Sequence, residues 1–511
     1  MTLHAVASLA QLDEHRPLRV QAGAEELILV RHGDQLRAYQ GNCPHEGAPL
    51  DEGAVCGGLL ICPWHKAAFA LDEGAVCEPP ALKGLRRHAV QLKGDQVWVD
   101  YQPLPEPQPP RHTDARTFVV IGAGAAGAAA VATLLDHGFG GQLLWIDQEQ
   151  PSAYDRTALS KFVIAGQMAP DEVSPLLDPD RLRRGQLRRL HGKVRTLDSG
   201  KRELVMADGQ RLTYDAALLA TGGKPNRPDL PGVQLPGICV LRSRDDAAHL
   251  LDLAEPGQPV VIVGDGFIGL EAASALRKYG LQVHLVTRHE IPLARQFGER
   301  IGRSLRELHA RKGVVFHGPT EVSAFEGQAR VEAVRLANGE RLATPLVLLA
   351  TGVTPATGLV HGLTLADDRS VNVDAHLQAT DGLWAAGDIA TFPLAGRPVR
   401  IEHWRLAEQH GVIAAANMLG ERRRYDDVPF FWTYQHGRTY EVLGHARHWN
   451  RIEYVGEPEQ GDFIALQCID DQLEAVIAKG HARAMAVLSQ RMKRPLSSRE
   501  ARELIDAWPD P

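Results

Sequence analysis

The sequence predicts a multidomain protein with a small all-β domain, a long α/β region and a C-terminal α+β domain. Three observations support this division. Residues 1–102 contain short β-type segments separated by Gly and Pro turns. Two glycine-rich segments, TFVVIGAGAAG and PVVIVGDGFIG, each join an apolar strand to a helical pattern. Strand-like segments return beyond residue 426 and precede an amphipathic stretch near residues 482–491.

The size and charge of the chain limit its function. At 511 residues it exceeds the usual size of a single hydrophobic core, so several domains are expected. The net charge of -7 provides no cationic field, so neither nucleic acid nor an anionic membrane is expected as the main partner. No apolar run is long enough to span a bilayer, and the first residues lack an export signal. We therefore expect a cytoplasmic protein.

The first domain is predicted at 1–102, with strands near 26–30, 59–61 and 96–99. Residues 103–115 follow as a linker, because the prolines at 103, 105, 107, 109 and 110 favour extended polyproline II. This linker separates two different folds.

Two short Cys/His loops form the most specific motif of the first domain. CPHEGAPL and ICPWHKAAF supply Cys43, His45, Cys62 and His65, with sixteen residues between the two motifs. Two thiolates on one iron and two imidazoles on the other can hold a 2Fe-2S cluster. The same four ligands could hold a zinc ion, although zinc-finger spacings group the cysteines together and the histidines together.

This arrangement resembles the Rieske ferredoxins and the N-terminal domains of Rieske oxygenases over about the first 102 residues. The cytochrome-complex Rieske proteins carry an extra cysteine in each loop, where this chain has Ala48 and Trp64. The resemblance therefore implies a lower-potential, ferredoxin-like cluster. Lys66 stands where many Rieske ferredoxins have glycine. Cys56 and Cys77 have no ligand spacing and are interpreted as small buried thiols.

The first glycine-rich turn consists of Gly122, Gly124 and Gly127. It lies between a strand and a helix, so backbone amides and the helix N-terminus can meet a pyrophosphate. The next strand ends near Asp147 and Glu149, either of which could bind ribose hydroxyls.

The second glycine-rich turn consists of Gly264, Gly266 and Gly269. The strand after it ends in Thr287, Arg288 and His289 rather than at an acid, so Arg288 could bind the phosphate of NADP. Glu290 could equally reach a ribose, which leaves NAD and NADP both open.

The two fingerprints, two ATG turns and the AAGD segment together resemble the flavoprotein reductases with two dinucleotide-binding domains. The resemblance covers residues 116–425 and implies FAD and NAD(P)H, with the nicotinamide domain inserted into the FAD domain. It implies domains at 116–254 (FAD), 255–374 (NAD(P)), 375–425 (FAD) and 426–511 (C-terminal). Asp388 would bind the FAD ribityl chain, and the cofactor sites would include Thr221, Gly222, Gly352 and Gly387.

YDRTALSK, EHW and VPFFW resemble the ferredoxin-reductase and apoptosis-inducing-factor-like branches of that family. By this resemblance Lys161 lies near the flavin and pairs with Glu271 as the catalytic pair, and Arg156, Trp404 and Trp432 contribute to cofactor binding. Without the motifs, Lys161 and Glu271 would be unrelated surface charges, Arg156 a solvated turn residue, and the tryptophans ordinary core aromatics.

These features predict an FAD-dependent oxidoreductase that passes electrons from NAD(P)H through FAD to a Rieske cluster and on to a protein acceptor. Ferredoxin, a cytochrome and an oxygenase component are all candidate acceptors. A redox-sensing flavoprotein of the apoptosis-inducing-factor type is the alternative, and a reductase component of a Rieske oxygenase system is a third interpretation. Cys239 and Cys468 are isolated, which disfavours relay to a disulfide. EHW with His410 is the only candidate for an additional iron site.

A docking contact between the two parts is a further hypothesis. An acidic rim on the first domain would pair with the basic run at 181–193, unless both are independent solvated surfaces. The rim comprises Glu46, Asp51, Glu52, Asp72, Glu73 and Glu78.

Overall fold

The computed structural model describes residues 2–107, 112–150, 153–183 and 186–510. Its α-helices are α1 (Ala125–Asp136), α2 (Pro179–Leu182), α3 (Arg244–Leu253), α4 (Phe267–Tyr279), α5 (Ala294–Phe297), α6 (Glu299–Arg311), α7 (Trp404–Leu419), α8 (Ala482–Arg491) and α9 (Ser498–Ala507). Within the described residues, none of these helices is long and apolar enough to cross a membrane.

The N-terminal domain consists of two antiparallel sheets, in agreement with the all-β prediction. The six-stranded sheet has the spatial order Leu3–Ser8, Gln96–Pro103, Arg87–Lys93, Gln35–Gln40, Glu25–His32 and Leu18–Ala22. The four-stranded sheet has the order Ala54–Cys56, Leu59–Ile61, Ala68–Ala70 and Val76–Glu78. The first residue of the predicted linker, Pro103, is the final residue of the strand Gln96–Pro103. Its residues 108–111 lie outside the described part of the chain.

The first α/β domain is built on a sheet that is parallel except at one edge. Its spatial order is Gln186–His191, Gln142–Asp147, Thr117–Ile121, Ala216–Leu219, Leu383–Ala385 and Gln378–Thr380. The Ala-rich helix α1 follows the central strand and packs with α7 in a shared apolar core. Three smaller sheets complete this part. The first has four strands, Val194–Asp198, Glu203–Met206, Arg211–Thr213 and Val360–His361, and the second has two, Gly223–Pro225 and Val353–Pro355. The third has three strands, Val371–Asn372, Ala390–Leu394 and Arg397–Val399.

The second α/β domain repeats the strand–turn–helix pattern. Its parallel sheet has the order Ile238–Cys239, Val347–Leu349, Pro259–Val263, Gln282–Val286 and Val315–His317. A three-stranded antiparallel sheet of Val322–Glu326, Ala333–Leu336 and Arg341–Ala343 packs against it.

The strand pairing moves the predicted boundaries of this domain. Ile238–Cys239 pairs with the second sheet and α3 packs against the same core, so the domain begins before residue 255. Val360–His361 pairs with the strand Val194–Asp198 of the first domain, so the chain returns to that domain before residue 375. Sequence patterns mark motifs, whereas a domain boundary is set by where each strand finds its hydrogen-bonding partner.

The C-terminal domain has the predicted α+β composition. Its antiparallel sheet has the order Phe430–Gln435, Arg438–Gly444, Gln472–Lys479, Phe463–Ile469 and Arg451–Gly456. The helices α8 and α9 cover one face of this sheet. The amphipathic stretch predicted at 482–491 coincides with α8.

The N-terminal domain packs on both the first α/β domain and the C-terminal domain. Apolar contacts join its smaller sheet to α8 through Ile61, Ala68 and Val487. Charged contacts do not follow the predicted pairing of the acidic rim with the run 181–193. Glu78 binds Arg405 and Lys493 instead, because these side chains reach it from α7 and from beyond α8.

Two other charged groups of the rim and the run have partners outside the predicted match. Asp51 pairs with Arg19 of its own domain at 2.6 Å. In the basic run, Arg181 binds the carbonyl oxygen of Leu82 and the carboxylate of Asp136. Arg181 thus joins one end of the basic run to the N-terminal domain through a backbone carbonyl rather than through a carboxylate of the acidic rim.

Candidate redox centres

Two similar loops hold the candidate cluster ligands at one end of the N-terminal domain. The Cys43 amide donates to the Ala48 carbonyl, and the Cys62 amide donates to the Ala67 carbonyl, both at 2.8 Å. Both cysteine side chains lie in the apolar core of the domain. The repeated turn brings each cysteine and its histidine into equivalent positions.

The four predicted ligands form two separate pairs. The thiols of Cys43 and Cys62 are close enough for each to shift the pKa of the other, and the Nδ1 atoms of His45 and His65 lie 3.2 Å apart. Among the described residues, the only potential ion site joins His45, Glu46 and His65 without either cysteine. Ligand atoms of a tetrahedral zinc site would all lie within about 4 Å of one another. The paired arrangement therefore fits a two-iron cluster better than one zinc ion.

The protonation states of these groups suit metal ligation. Burial, with the charges of His45, Lys66 and Lys161, lowers the pKa of His65 well below its usual value. Burial also lowers the pKa of His45. Burial opposes ionisation of Cys62, but hydrogen bonds from Cys43 and from backbone amides reduce its pKa overall. The interaction with Cys62 and burial raise the pKa of Cys43, so only Cys62 of the two thiols is favoured as a thiolate. Neutral imidazoles and a thiolate are forms that bind metals.

Lys66 connects the second loop to the C-terminal domain. Its φ of 60° is in the left-handed region, where glycine is favoured. The fully buried ammonium group binds the Pro63 carbonyl and lies 2.8 Å from Glu441 Oε1. Burial raises the pKa of Glu441 to about 7, against the opposing effect of Lys66. Lys66 thus keeps the turn that glycine would adopt and adds an interdomain contact.

A cleft of about 1140 Å³ runs between the two α/β domains and the C-terminal domain. A Cβ atom at Gly122 would lie 2.2 Å from the Ala220 carbonyl oxygen, and one at Gly127 would lie 2.0 Å from the Gly122 carbonyl oxygen. A Cβ at Gly124 would meet no protein atom within 4 Å and would project beside the cleft that Gly124 lines. Two of the glycines are required by backbone packing, and the third leaves room for a ligand.

The two candidate ribose carboxylates both line this cleft. Glu149 accepts hydrogen bonds from Arg156 and from the Tyr154 hydroxyl, at 2.8 and 2.7 Å. Burial opposes its ionisation, but the bond and charge of Arg156 lower the pKa of Glu149 overall. Burial raises the pKa of Asp147. Arg156 is therefore an internal partner of Glu149 rather than a solvated turn residue.

Four further residues of the predicted FAD site also line the cleft, namely Thr221, Gly222, Gly387 and Asp388. Asp388 Oδ2 lies 3.2 Å from Arg242 Nη2. Sequence reasoning missed Arg242, since it belongs to no motif and reaches the cleft only through the fold.

The second fingerprint repeats the geometry of the first. A Cβ at Gly264 would lie 2.3 Å from the Ala350 carbonyl oxygen, and one at Gly269 would lie 2.0 Å from the Gly264 carbonyl oxygen. A Cβ at Gly266 would meet nothing within 4 Å. Gly266 and Gly352 line the cleft. Arg288 does not line it; its guanidinium is largely exposed and lies 3.0 Å from Glu321.

Lys161 and Glu271 both line the cleft and lie next to each other. Lys161 Nζ lies 3.3 Å from Glu271 Oε2, and both side chains are buried. Lys161 is on the short π-helical turn Leu159–Val163, and Glu271 is on α4. Glu271 also accepts hydrogen bonds from the hydroxyls of Ser160 and Thr433, at 2.6 and 2.7 Å. The pair is therefore not a pair of unrelated surface charges.

Trp404 and Trp432 both line the cleft. The Trp432 ring packs on the imidazole of His65, with ring centroids 4.0 Å apart. Lys161 Nζ lies 5.9 Å from the centroid of the same indole. Trp432 therefore connects the cleft to a candidate cluster ligand, which an ordinary core aromatic would not do.

No additional iron site forms around EHW and His410 in the described residues. His410 is fully buried on α7 between Phe392 and Tyr425, and its Nδ1 accepts from the Gly387 amide at 3.4 Å. Burial lowers the pKa of His410 to about 3. Its role is to support the turn that carries Asp388.

The residues present fit the implied groups. The paired cysteine and histidine ligands suit a 2Fe-2S cluster, and the open positions beside Gly124 and Gly266 suit two dinucleotides. All six cysteines are free, so the cleft contains no redox-active disulfide.

Comparison with known proteins gives the same division of the chain. Residues 116–411 match the family model "pyridine nucleotide-disulphide oxidoreductase", and residues 2–89 match "Rieske [2Fe-2S] domain". The reductase–putidaredoxin covalent complex has a similar fold, with a TM-score of 0.70 and 25% identity over 77% of this chain and 99% of that chain.

Two curated relatives extend this similarity. Apoptosis-inducing factor 3 of Mus musculus is 30% identical over 93% of this chain and 81% of that protein. The ferredoxin--NAD(+) reductase component of the biphenyl dioxygenase system of Paraburkholderia xenovorans is 33% identical over 73% of this chain and 92% of that protein. The chain therefore belongs to the pyridine nucleotide-disulphide oxidoreductase family, as an FAD-dependent NAD(P)H oxidoreductase that carries its own Rieske 2Fe-2S domain.

Proposed function

We propose that the two redox centres act in series within one chain, and that electrons from NAD(P)H reach the Rieske cluster across the contact between Trp432 and His65. The ligands of the cluster would be Cys43, His45, Cys62 and His65. FAD would bind along the first fingerprint, and the nicotinamide nucleotide along the second.

The contact between Trp432 and His65 is the observation that carries this proposal. The indole lines the cleft, and its ring centroid lies 4.0 Å from that of the imidazole. An aromatic ring in contact with a cluster ligand shortens the gap between two buried centres. A flavin supplies the chemistry that this order needs, since it exchanges electrons in pairs with nicotinamide and singly with a 2Fe-2S cluster.

Lys161 and Glu271 would position the nicotinamide beside the flavin. Their ion pair is buried, so the field of the ammonium group is weakly screened within the cleft. Thr433 and Ser160 fix the orientation of Glu271 through their hydroxyl groups. A cationic group held in this position favours negative charge on a reduced cofactor.

The acceptor would be a soluble electron-transfer protein. One relative is named as a ferredoxin reductase component of a dioxygenase system, and the similar solved structure is a complex with putidaredoxin. A ferredoxin, a cytochrome or an oxygenase component would each suit a one-electron donor. A cytoplasmic location is part of this proposal, since all six cysteines are free thiols.

A redox-sensing role is a second candidate. The match to apoptosis-inducing factor 3 covers 93% of the chain and includes the Rieske domain. Rapid steady-state turnover with a carrier protein would favour the electron-transfer enzyme. Slow turnover, with a reduced form that persists and alters partner binding, would favour the sensor.

The variant Trp432→Leu tests the proposed route. After anaerobic mixing with NADH, the step from reduced flavin to reduced cluster should slow at least tenfold in the variant, measured separately from the rate of flavin reduction. Trp449→Leu is the matched control, because Trp449 is a partly buried tryptophan of the same domain outside the cleft. Equal rates of cluster reduction in both variants would contradict the route.

A further inference from the structure

Trp64 is the only exposed aromatic side chain among the described residues, with 42% of its surface accessible. It immediately precedes the candidate ligand His65, and the two rings form an edge contact with centroids 6.3 Å apart. Tryptophan is enriched among the residues that contribute most of the binding energy at protein interfaces. Its position beside a cluster ligand relates that surface to electron transfer.

Protein covers the cluster site on the side of the two cysteines and on the face of the His65 ring that meets Trp432. Cys43 and Cys62 lie in the apolar core of the N-terminal domain, with exposures of 3% and 1%. The His65 ring packs on Trp432, which faces the cleft. The histidine end is therefore in contact with two tryptophans, one directed to the interior and one to solvent.

The N-terminal domain is also fixed in this position. Arg405 of α7 is fully buried and donates to the Pro79 and Lys66 carbonyl oxygens at 2.8 and 3.0 Å. Lys66 is paired with Glu441 in the C-terminal domain. Releasing the face that contacts Trp432 would expose these buried charges without partners. A carrier protein must therefore approach from the solvent side.

We infer that Trp64, beside the cluster ligand His65, forms the centre of the docking surface for an external one-electron carrier protein. This inference rests on the proposed function. One electron passes from the reduced cluster to the oxidised carrier, the cluster returns to its oxidised form, and no bond or proton changes. Each NAD(P)H supports two such transfers.

The test uses the holoenzyme, with cytochrome c as the carrier. In Trp64→Ala, NADH should still reduce the cluster at the wild-type rate, but kcat/KM for cytochrome c should fall about tenfold or more, as for an aromatic anchor of an interface. Leu92→Ala is the matched control, because Leu92 is a 48% exposed apolar residue on the strand Arg87–Lys93 of the same domain. It should retain the wild-type value.

A second measurement uses the wild-type protein and does not depend on turnover. Hydroxyl-radical footprinting should show that Trp64 is oxidised more slowly when cytochrome c is bound. Oxidation of Leu92 should not change. This result would support the docking surface even if a variant at position 64 were unstable.

Two results would overturn the inference alone: unchanged kcat/KM in Trp64→Ala with normal reduction of the cluster, or no protection of Trp64 by cytochrome c. A Cys43→Ser holoflavoprotein that still reduced cytochrome c at the wild-type rate would also overturn it, since electrons would then leave from the flavin. If NADH failed to reduce the wild-type cluster before any carrier was added, the proposed function would fail as well.

Discussion

At the scale of single residues, the Lys161–Glu271 pair joins two segments 110 positions apart in the sequence. The pair lies 3.3 Å apart in the cleft, and Glu271 has three further hydrogen-bond donors in Ser160, Thr433 and Tyr434. The resemblance to the flavoprotein reductases suggested this ion pair, whereas the composition of the chain and the spacing of its residues could not predict it. The supporting hydroxyl of Thr433 could not be found from the sequence, because it belongs to the C-terminal domain.

The substitution Glu271→Gln should slow reduction of the flavin by NADH roughly tenfold to a hundredfold. Glutamine keeps an oxygen for Thr433 but removes the charge opposite Lys161. Anaerobic stopped-flow absorbance measures the rate. Thr433→Val is the control, since it removes one hydrogen bond and keeps the charge; we expect less than about a threefold change. A Glu271→Gln rate equal to that of wild type would show that the charge has no role.

Buried histidines make the folded protein sensitive to acid. The pKa of His410 falls from 6.5 to about 3 because the imidazole is buried, so between these values the unfolded chain binds a proton that the folded chain excludes. Stability is therefore lost as pH falls below 6.5, and His410 accounts for about 2 kcal/mol of loss between pH 7 and pH 5.

His410→Gln should remove this share of the acid sensitivity. Chemical unfolding at pH 7 and pH 5 gives the two free energies for each protein. The difference should be about 2 kcal/mol smaller in the variant than in wild type. An identical pH dependence would mean that His410 is protonated in the folded protein or solvated in a way that the structure does not show.

At the scale of elements, the two strand–turn–helix units were predictable because the spacing of the glycines in each motif determines the local backbone geometry. Gly122 and Gly127 approach carbonyl oxygens, while Gly124 faces open space. The cluster loops were predictable for the same reason, since their ligands are local. The domain boundaries were less predictable. Ile238–Cys239 and Val360–His361 join sheets according to distant partners, which no local pattern encodes.

Two alanine substitutions in one motif should therefore have different effects. Gly124→Ala should leave the stability of the apoprotein unchanged, because its φ of -81° suits alanine and its Cβ meets no atom. It should weaken FAD binding at least tenfold, since the methyl group enters the ligand space. Gly127→Ala should cost about 2 kcal/mol or more without any cofactor, because its Cβ lies 2.0 Å from a carbonyl oxygen.

Thermal unfolding of the apoproteins and titration with FAD separate the two effects. A loss of stability in the Gly124→Ala apoprotein would show that Gly124, like Gly127, is required by backbone packing. Normal FAD affinity in the same variant would show that the ligand does not approach this turn.

At the scale of the whole molecule, the N-terminal domain is held by charged groups that cross domain interfaces. Of the predicted acidic rim, the buried carboxylate of Glu78 makes such a contact, with Arg405 of α7. Buried groups decide the contact: Arg405 meets Glu78 and two carbonyls, and Lys66 meets Glu441. Their partners could not be read from the sequence, because they lie more than three hundred positions away.

Arg405→Met should destabilise the protein by roughly 3 kcal/mol and slow electron transfer from flavin to cluster. Methionine fills part of the volume but leaves Glu78 and two buried carbonyl oxygens without this donor. Arg303→Met is the control, because Arg303 forms only an exposed pair with Glu299 on α6 and should change stability by less than about 0.5 kcal/mol. Unfolding in denaturant measures the free energy of unfolding of both variants. An equal loss of stability in Arg405→Met and Arg303→Met would show that Arg405 does not hold the N-terminal domain in place.

The measurement that tests the central claim most directly is anaerobic stopped-flow reduction of the holoenzyme by NADH at several enzyme concentrations, with the cluster followed by its absorbance and by electron paramagnetic resonance. If electrons pass within one chain from the cleft through Trp432 to His65, the cluster should become reduced after the flavin, at a rate that does not depend on enzyme concentration. A cluster that stays oxidised, or a rate that rises in proportion to enzyme concentration, would contradict the account.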